Sequence, residues 1–188
     1  MTTSSTSLKI LGICGSLRAK SFNKMALLTA SKLMPAGMTL ETFDLAPIPL
    51  YNADIHAQGF PDSVQALRAK IKAADGLLFA CPEYNYSISG VLKNAIDWAS
   101  RPPEQPFAFK PYAILGASMG MGGTMRAQYH LRQVTIFLDA IPLNRPEVFI
   151  GTAQTKFDDA GNCTDDGTKK AIADMLTAFQ SWILRVRS

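Results

Sequence analysis

At 188 residues, with 47% hydrophobic and 18% charged positions, the chain has the profile of one compact domain, which excludes a disordered or fibrous protein. Its net charge of +4 comes from scattered Lys and Arg, the nearest thing to a cluster being Arg185 and Arg187. A nucleic-acid-binding stripe is therefore excluded, while a mildly basic surface still steers small anions.

Residues 1–7 are Ser/Thr-rich without an apolar core and are expected to form a disordered tail ahead of a single domain over 8–188. Residues 8–14 (LKILGIC), short, apolar and closed by Gly15-Ser16, predict a buried strand. A loop and an amphipathic helix follow, with Met25, Leu28, Leu33 and Met34 among its apolar positions and Pro35-Ala-Gly ending it. Residues 38–45 alternate as a second strand, and a Pro-rich loop through Tyr51 leads to a helix over 63–74. Residues 76–81 (GLLFAC) read as a fully buried third strand before Pro82. A helix over 90–99, a strand over 112–117, a helix over 124–138, a strand within 142–150 and a last helix over 166–186 complete the order. Five strands alternating with helices call for a parallel sheet covered on both faces, a three-layer sandwich with right-handed crossovers.

Cys14, Cys81 and Cys163 show no CxxC or metal-ligand spacing, and the two in apolar runs read as buried, reduced thiols of a cytoplasmic protein. His56 and His130 are unpaired in sequence and read as surface or capping residues, so no metal is expected. No apolar run reaches membrane-spanning length, so no membrane insertion is expected either.

Three segments each follow a strand directly: 15–23 (GSLRAKSFN), 82–87 (PEYNYS) and 118–123 (SMGMGG). In a doubly wound sheet of order 2-1-3-4-5, ligands bind beyond the carboxyl ends of the strands, where the order reverses between strands one and three. All three loops are expected there. The first opens a helix, whose N–H groups can face an anion, and Ser16, Ser21, Asn23 and the Arg18 fork suit a terminal phosphate. It is neither a Walker A loop nor a Rossmann fingerprint. Taken alone it is equally an ordinary strand-to-helix turn capped by Ser21. The second supplies amide, carboxylate and phenol groups to a planar heterocycle: backbone at Pro82, Glu83, Tyr84 and Asn85 reads its edge, and Tyr84 or Tyr86 packs on the ring. The third carries so little side chain that N–H groups at Ser118, Met119 and Gly120 can approach a flat ligand and face negative charge.

The segments GSLRAKSFN, PEYNYSISGVLKNAIDWASRP and GASMGMGGTMRAQYHLRQ, in that order, resemble the NADPH-dependent FMN reductase family, in particular its quinone, chromate and azo-dye reductase branch. The resemblance runs over about residues 8–147 and implies a flavodoxin-like fold with bound FMN. It implies that Ser16, Arg18, Ser21 and Asn23, with the backbone between them at Leu17 and Phe22, hold the FMN phosphate. It also implies that Pro82, Glu83, Tyr84, Asn85 and Ser118 line the ribityl chain and ring, with Tyr86, Met119 and Gly120 beside them. Ser89 stands where related sequences often carry Pro, a change expected to touch only helix entry. Members of the family usually form homodimers or homotetramers with the flavin at the interface. Tyr86, Lys93, Asp97, Trp98, Arg126 and Tyr129 are placed near that interface, core or surface positions being the alternative.

The implied activity is reduction of quinones and similar small-molecule acceptors, with chromate, azo dyes and ferric chelates as further candidates. NADPH or NADH is the donor in a ping-pong cycle, and no protein side chain is expected to be catalytic. NADPH is expected over NADH because Arg18 and Arg126 are candidate partners for a 2′-phosphate. The alternative is a flavodoxin-type electron carrier, or a redox-sensing flavoprotein without its own turnover; such carriers tend to be acidic, unlike this chain. A Cys phosphatase needs five residues between nucleophile and Arg, whereas three separate Cys14 from Arg18.

Overall fold

The computed structural model describes residues 7–187, so of the expected tail only Ser7 falls among the described residues. The first half of the chain forms β1 (Leu8–Cys14), α1 (Phe22–Lys32), β2 (Met38–Phe43), the short α2 (Ala53–His56), α3 (Asp62–Ala73) and β3 (Gly76–Ala80). A hairpin of β4 (Glu83–Tyr84) and β5 (Ser87–Ile88) then leads into α4 (Gly90–Ala99). The second half forms β6 (Pro111–Ala117), α5 (Met125–Phe137), β7 (Ile141–Pro142), β8 (Val148–Ile150) and α6 (Asp166–Arg187).

The main sheet is parallel throughout, in the order β2-β1-β3-β6-β7, with β8 also paired to β6. This is the expected flavodoxin-like arrangement with six strands instead of five. The segment expected as the fifth strand is split: β7 pairs with the start of β6 and β8 with its end. Pro142 and Pro146 lack the N–H that a continuous ladder requires. The hairpin is the second departure, since residues 82–87 were expected as a turn alone, and α2 lies where only loop was expected.

Strand residues alternate between two cores because successive side chains point to opposite faces. Ile10, Leu78 and Leu115 pack with α1 and α6, through residues such as Ala26, Ala30, Ile172, Leu176 and Phe179. Leu11, Leu77, Phe79 and Ile114 face α3, α4 and α5, through Leu67, Ile71, Leu92, Ile96 and Leu131. β3 and β6 are buried along their whole length, which is why their sequences run apolar without a break. In α1 the residues turned inward are Asn23, Ala26, Leu27, Thr29 and Ala30, whereas Leu28 is exposed.

Candidate functional site

Because β1, β3 and β6 are adjacent and in register, with Cys14 opposite Ala80 and Ala80 opposite Leu115, the segments leaving them emerge level on one edge. Named contacts tie them together. A Cβ added to Gly15 would lie 2.8 Å from Pro82 Cδ and 2.9 Å from Ser89 Oγ, so the first and second loops touch at a position only glycine fits. Asn23 Nδ2 donates to the Ala117 carbonyl at 2.9 Å while its Oδ1 accepts from Ala117 N at 3.0 Å, which pins the first loop to the end of β6. At Gly116 a Cβ would collide with Thr124 Oγ1 and the Cys81 carbonyl, so the residues that flank the third loop pack against the one that precedes the second.

In the first loop Ser16 is 4% exposed, and its hydroxyl has no partner among the described residues. Leu17 and Arg18 are exposed; Arg18 lies 5.5 Å from the Phe22 ring centroid and forms no ion pair among the described residues. Ser21 is buried and caps α1, accepting from Lys24 N at 3.4 Å, and the first turn of α1 carries no acidic side chain. Phe22 is half-buried against Phe157, at 6.0 Å between centroids. Asn23 spends its Oδ1 and one Nδ2 hydrogen on Ala117, so a tie between the first loop and β6 is added to the phosphate role expected of it, for which the second Nδ2 hydrogen is left.

The second loop is more regular than a turn. Glu83 pairs with Ile88 and Tyr84 with Ser87, and the connection uses Asn85 at φ 50° and Tyr86 at φ 64°, the signature of a type I′ hairpin. Asn tolerates that region; a Tyr there is strained. The Tyr86 ring, on a residue that is 70% exposed, receives the Arg126 guanidinium at 4.0 Å from its centroid. Pro82 is buried and Tyr84 is exposed at the rim. Glu83 caps α5 from outside: its Oε2 accepts from Arg126 N at 3.0 Å and Ala127 N at 3.2 Å, and its Oε1 from Arg126 Nη1 at 2.9 Å. These are the first backbone donors of the helix, where a carboxylate is favoured. Glu83 thus fastens the hairpin to the segment behind the third loop.

In the third loop Ser118 N donates to Ile150 O at 3.0 Å and its hydroxyl to Gly123 O at 2.5 Å, so both Ser118 donors are engaged within the protein. That corrects the expectation of a ligand-facing Ser118 N–H. Among the described residues the Met119 and Gly120 N–H groups have no protein acceptor, and both residues are exposed. Met121 is 92% exposed beside them.

Beneath the loops lie two thiols. Burial pushes the Cys14 thiol up and the Cys81 thiol up to about 12, with Glu83 and Cys14 adding to the latter. Both are poor nucleophiles at neutral pH, and all three cysteines are buried and free.

Other expected positions are redistributed. Trp98, placed near a subunit interface, is 0% exposed; its Nε1 donates to Pro49 O at 2.8 Å and its ring meets Tyr51 at 4.8 Å. The segment ahead of α3 covers it, with the His56 and Phe60 rings at 5.9 Å and 6.4 Å as well. His56 is not a cap but an aromatic packing residue, 4.7 Å from the Phe60 ring. His130 is exposed, with Nδ1 2.8 Å from Ser87 Oγ. Tyr86, Arg126 and Tyr129 are exposed, and Lys93 pairs with Asp97 along α4. Ser89, expected to matter only for helix entry, caps α4 through Leu92 N at 3.1 Å and also donates to the Gly15 carbonyl at 2.7 Å. A Pro there would lack that tie to the first loop, a role with no signal in the sequence.

The pattern that defines the NADPH-dependent FMN reductase family matches residues 8–155, a span that contains all three loops. The chain belongs to this family. Among relatives within and around the FMN reductase family, it is 58% identical over 183 residues to an NAD(P)H-dependent FMN reductase of Pseudomonas aeruginosa, covering 97% of this chain and 99% of that protein. It is 47% identical over 186 residues to a quinone reductase of Escherichia coli, covering 97% and 99% respectively. Its backbone matches that of FerB, a flavoenzyme NAD(P)H:(acceptor) oxidoreductase of Paracoccus denitrificans, with a TM-score of 0.87 at 32% identity, covering 95% of this chain and 98% of FerB.

Proposed function

We propose that this protein is an FMN-dependent NAD(P)H:quinone oxidoreductase, with residues 8–188 acting as one FMN-binding unit. The observation that carries the reading is the convergence of three loops on one edge around donors that the protein does not itself use. The residues present fit FMN. Ser16 is a buried residue whose hydroxyl has no hydrogen-bond partner among the described residues, Arg18 has no anionic partner among them, and the first turn of α1 is free of acidic side chains. Together they suit a phosphate monoester at a helix N-terminus. Beyond them, the backbone of Pro82, Glu83, Tyr84 and Asn85 and the free N–H groups of Met119 and Gly120 would border a flat ring, with Tyr86 at its rim.

The chemistry FMN supplies when bound is acceptance of a hydride equivalent from a reduced nicotinamide and its return to an acceptor. The chain's own part is to bind and orient. Gly15 and Gly116 allow the close approach of the segments, Asn23 and Glu83 lock them, and the Met119 and Gly120 N–H groups would be available to stabilise negative charge on the reduced ring. Thiols held protonated by burial accord with this division. Among the described residues no helix is long and apolar enough to cross a membrane. We place the protein in the cytoplasm, as a homodimer or homotetramer whose interface includes Tyr86, Arg126 and Tyr129 but not Trp98.

The test is a visible absorption spectrum of the purified protein, followed by turnover. The expected outcome is flavin bands near one equivalent per chain, bleached by NADPH and restored by a quinone, with parallel lines in double-reciprocal plots at several quinone concentrations. A colourless protein that takes up no added FMN would end the reading, and a flavoprotein that NADPH does not reduce without a separate reductase would favour an electron carrier.

A further inference from the structure

On the opposite side of the first loop from the converging segments lies a cavity of about 500 Å³, bounded by α1 and β2. That volume falls within the range of small-molecule sites. One wall is apolar, formed by Leu27, Leu28, Leu40, Phe43 and Leu45, and suits a flat, weakly polar ring system. Ser16 lines it too, so the cavity adjoins the phosphate-type loop directly. The rim is charged in a patterned way. Lys24 borders this cavity and also a smaller one of about 240 Å³, which it shares with Lys20. Among the described residues neither lysine forms an ion pair, although Lys24 Nζ lies 3.3 Å from Leu17 O. Asp44 also lines the cavity; one carboxylate oxygen accepts from Ala46 N at 3.0 Å and the other has no donor among the described residues. The arrangement is an apolar slot, a carboxylate with a free acceptor, and two cations without counterions.

We infer that this cavity takes the adenosine diphosphate half of the reduced pyridine nucleotide, with adenine against the leucines and Phe43, the adjoining ribose at Asp44, and the diphosphate at Lys24 and Lys20. The inference rests on the oxidoreductase reading above. A carboxylate accepts hydrogen bonds from ribose hydroxyls and repels a 2′-phosphate, so Asp44 also sets the balance between NADH and NADPH. Arg126, the alternative cation for the nucleotide, is already held by Glu83 and Tyr86.

The experiment uses FMN-loaded protein whose spectrum and NADPH oxidation have been recorded first, so that failure of the cavity assignment is separable from failure of the oxidoreductase reading. Adenosine 5′-diphosphate is titrated by calorimetry and tested as an inhibitor. It is expected to bind and to compete with NADH, and Thr42→Trp, which places an indole in the cavity from exposed β2, is expected to abolish that binding. Lys20→Ala with Lys24→Ala should raise KM for both nucleotides at least tenfold with little change in kcat, a loss of about 1.4 kcal/mol or more of binding. Asp44→Asn keeps the Ala46 hydrogen bond and should lower KM for NADPH several-fold but not KM for NADH. Unchanged KM values in the double lysine variant would overturn the proposal, as would no binding of adenosine diphosphate or binding that survives Thr42→Trp.

Discussion

Asn23 shows how one side chain can carry a structural role that its place in the sequence does not announce. Its position, two residues after the cap of α1, invites a phosphate role, yet its amide completes the backbone pairing of Ala117 at the end of β6. Truncation would leave a buried N–H and a buried C=O without partners, each costing about 1–3 kcal/mol. Asn23→Ala is therefore expected to lower unfolding stability by about 2–6 kcal/mol in urea titrations and to release FMN during purification. A loss within about 0.5 kcal/mol, the usual effect of an innocuous surface change, would remove the structural role. Gly15 and Gly116 belong to the same scale. Neither spacing nor composition distinguishes them from other glycines, and only their distances to Pro82, Ser89, Thr124 and Cys81 show why a side chain is excluded.

At the scale of elements, the hairpin β4–β5 and the start of α5 behave as one unit because Glu83 joins them. Its carboxylate serves two helix N–H groups and the Arg126 side chain, and Arg126 in turn rests on the left-handed Tyr86. Glu83→Ala should cost about 1–2 kcal/mol, the usual loss of a helix cap, and lower quinone turnover as the Tyr84–Tyr86 rim loses its support. Glu83→Gln keeps an acceptor for the helix N–H groups and should lose less on both counts. Thermal unfolding and steady-state kinetics on the two variants check the ordering, and equal losses would mean that charge alone carries the effect. The sequence marked Glu83 as notable but not its partner, because the 43 positions separating it from Arg126 carry no periodicity that links them.

For the whole molecule, the buried thiol at the end of β3 couples global stability to pH. Cys81 is pushed from 9.0 to about 12 by burial first and by Glu83 and Cys14 next, so the folded state holds its proton where the unfolded chain would release it. A raised folded pKa gives stability that is complete below about pH 9 and declines as pH rises toward 12, because only the unfolded state gains by ionising. Alkaline unfolding monitored by circular dichroism should show this decline, with a shallower slope in Cys81→Ala. An identical slope in the variant would mean the thiol is not held protonated.

The alternation of apolar runs with amphipathic segments was enough to determine the layered parallel architecture, since strands buried on both faces must be continuous in hydrophobicity and helices must turn one stripe inward. The three loops and their resemblance to a reductase family were equally legible, being contiguous in the chain. What the tertiary structure alone decided are the relations between segments distant in sequence. Asn23 engages Ala117, Ser89 reaches Gly15, Glu83 caps α5, Trp98 turns into the core, and the last strand position is shared by two short strands. Such pairings depend on the directions in which side chains leave a folded backbone, and a one-dimensional pattern does not hold that information until the sheet has brought its strand ends together.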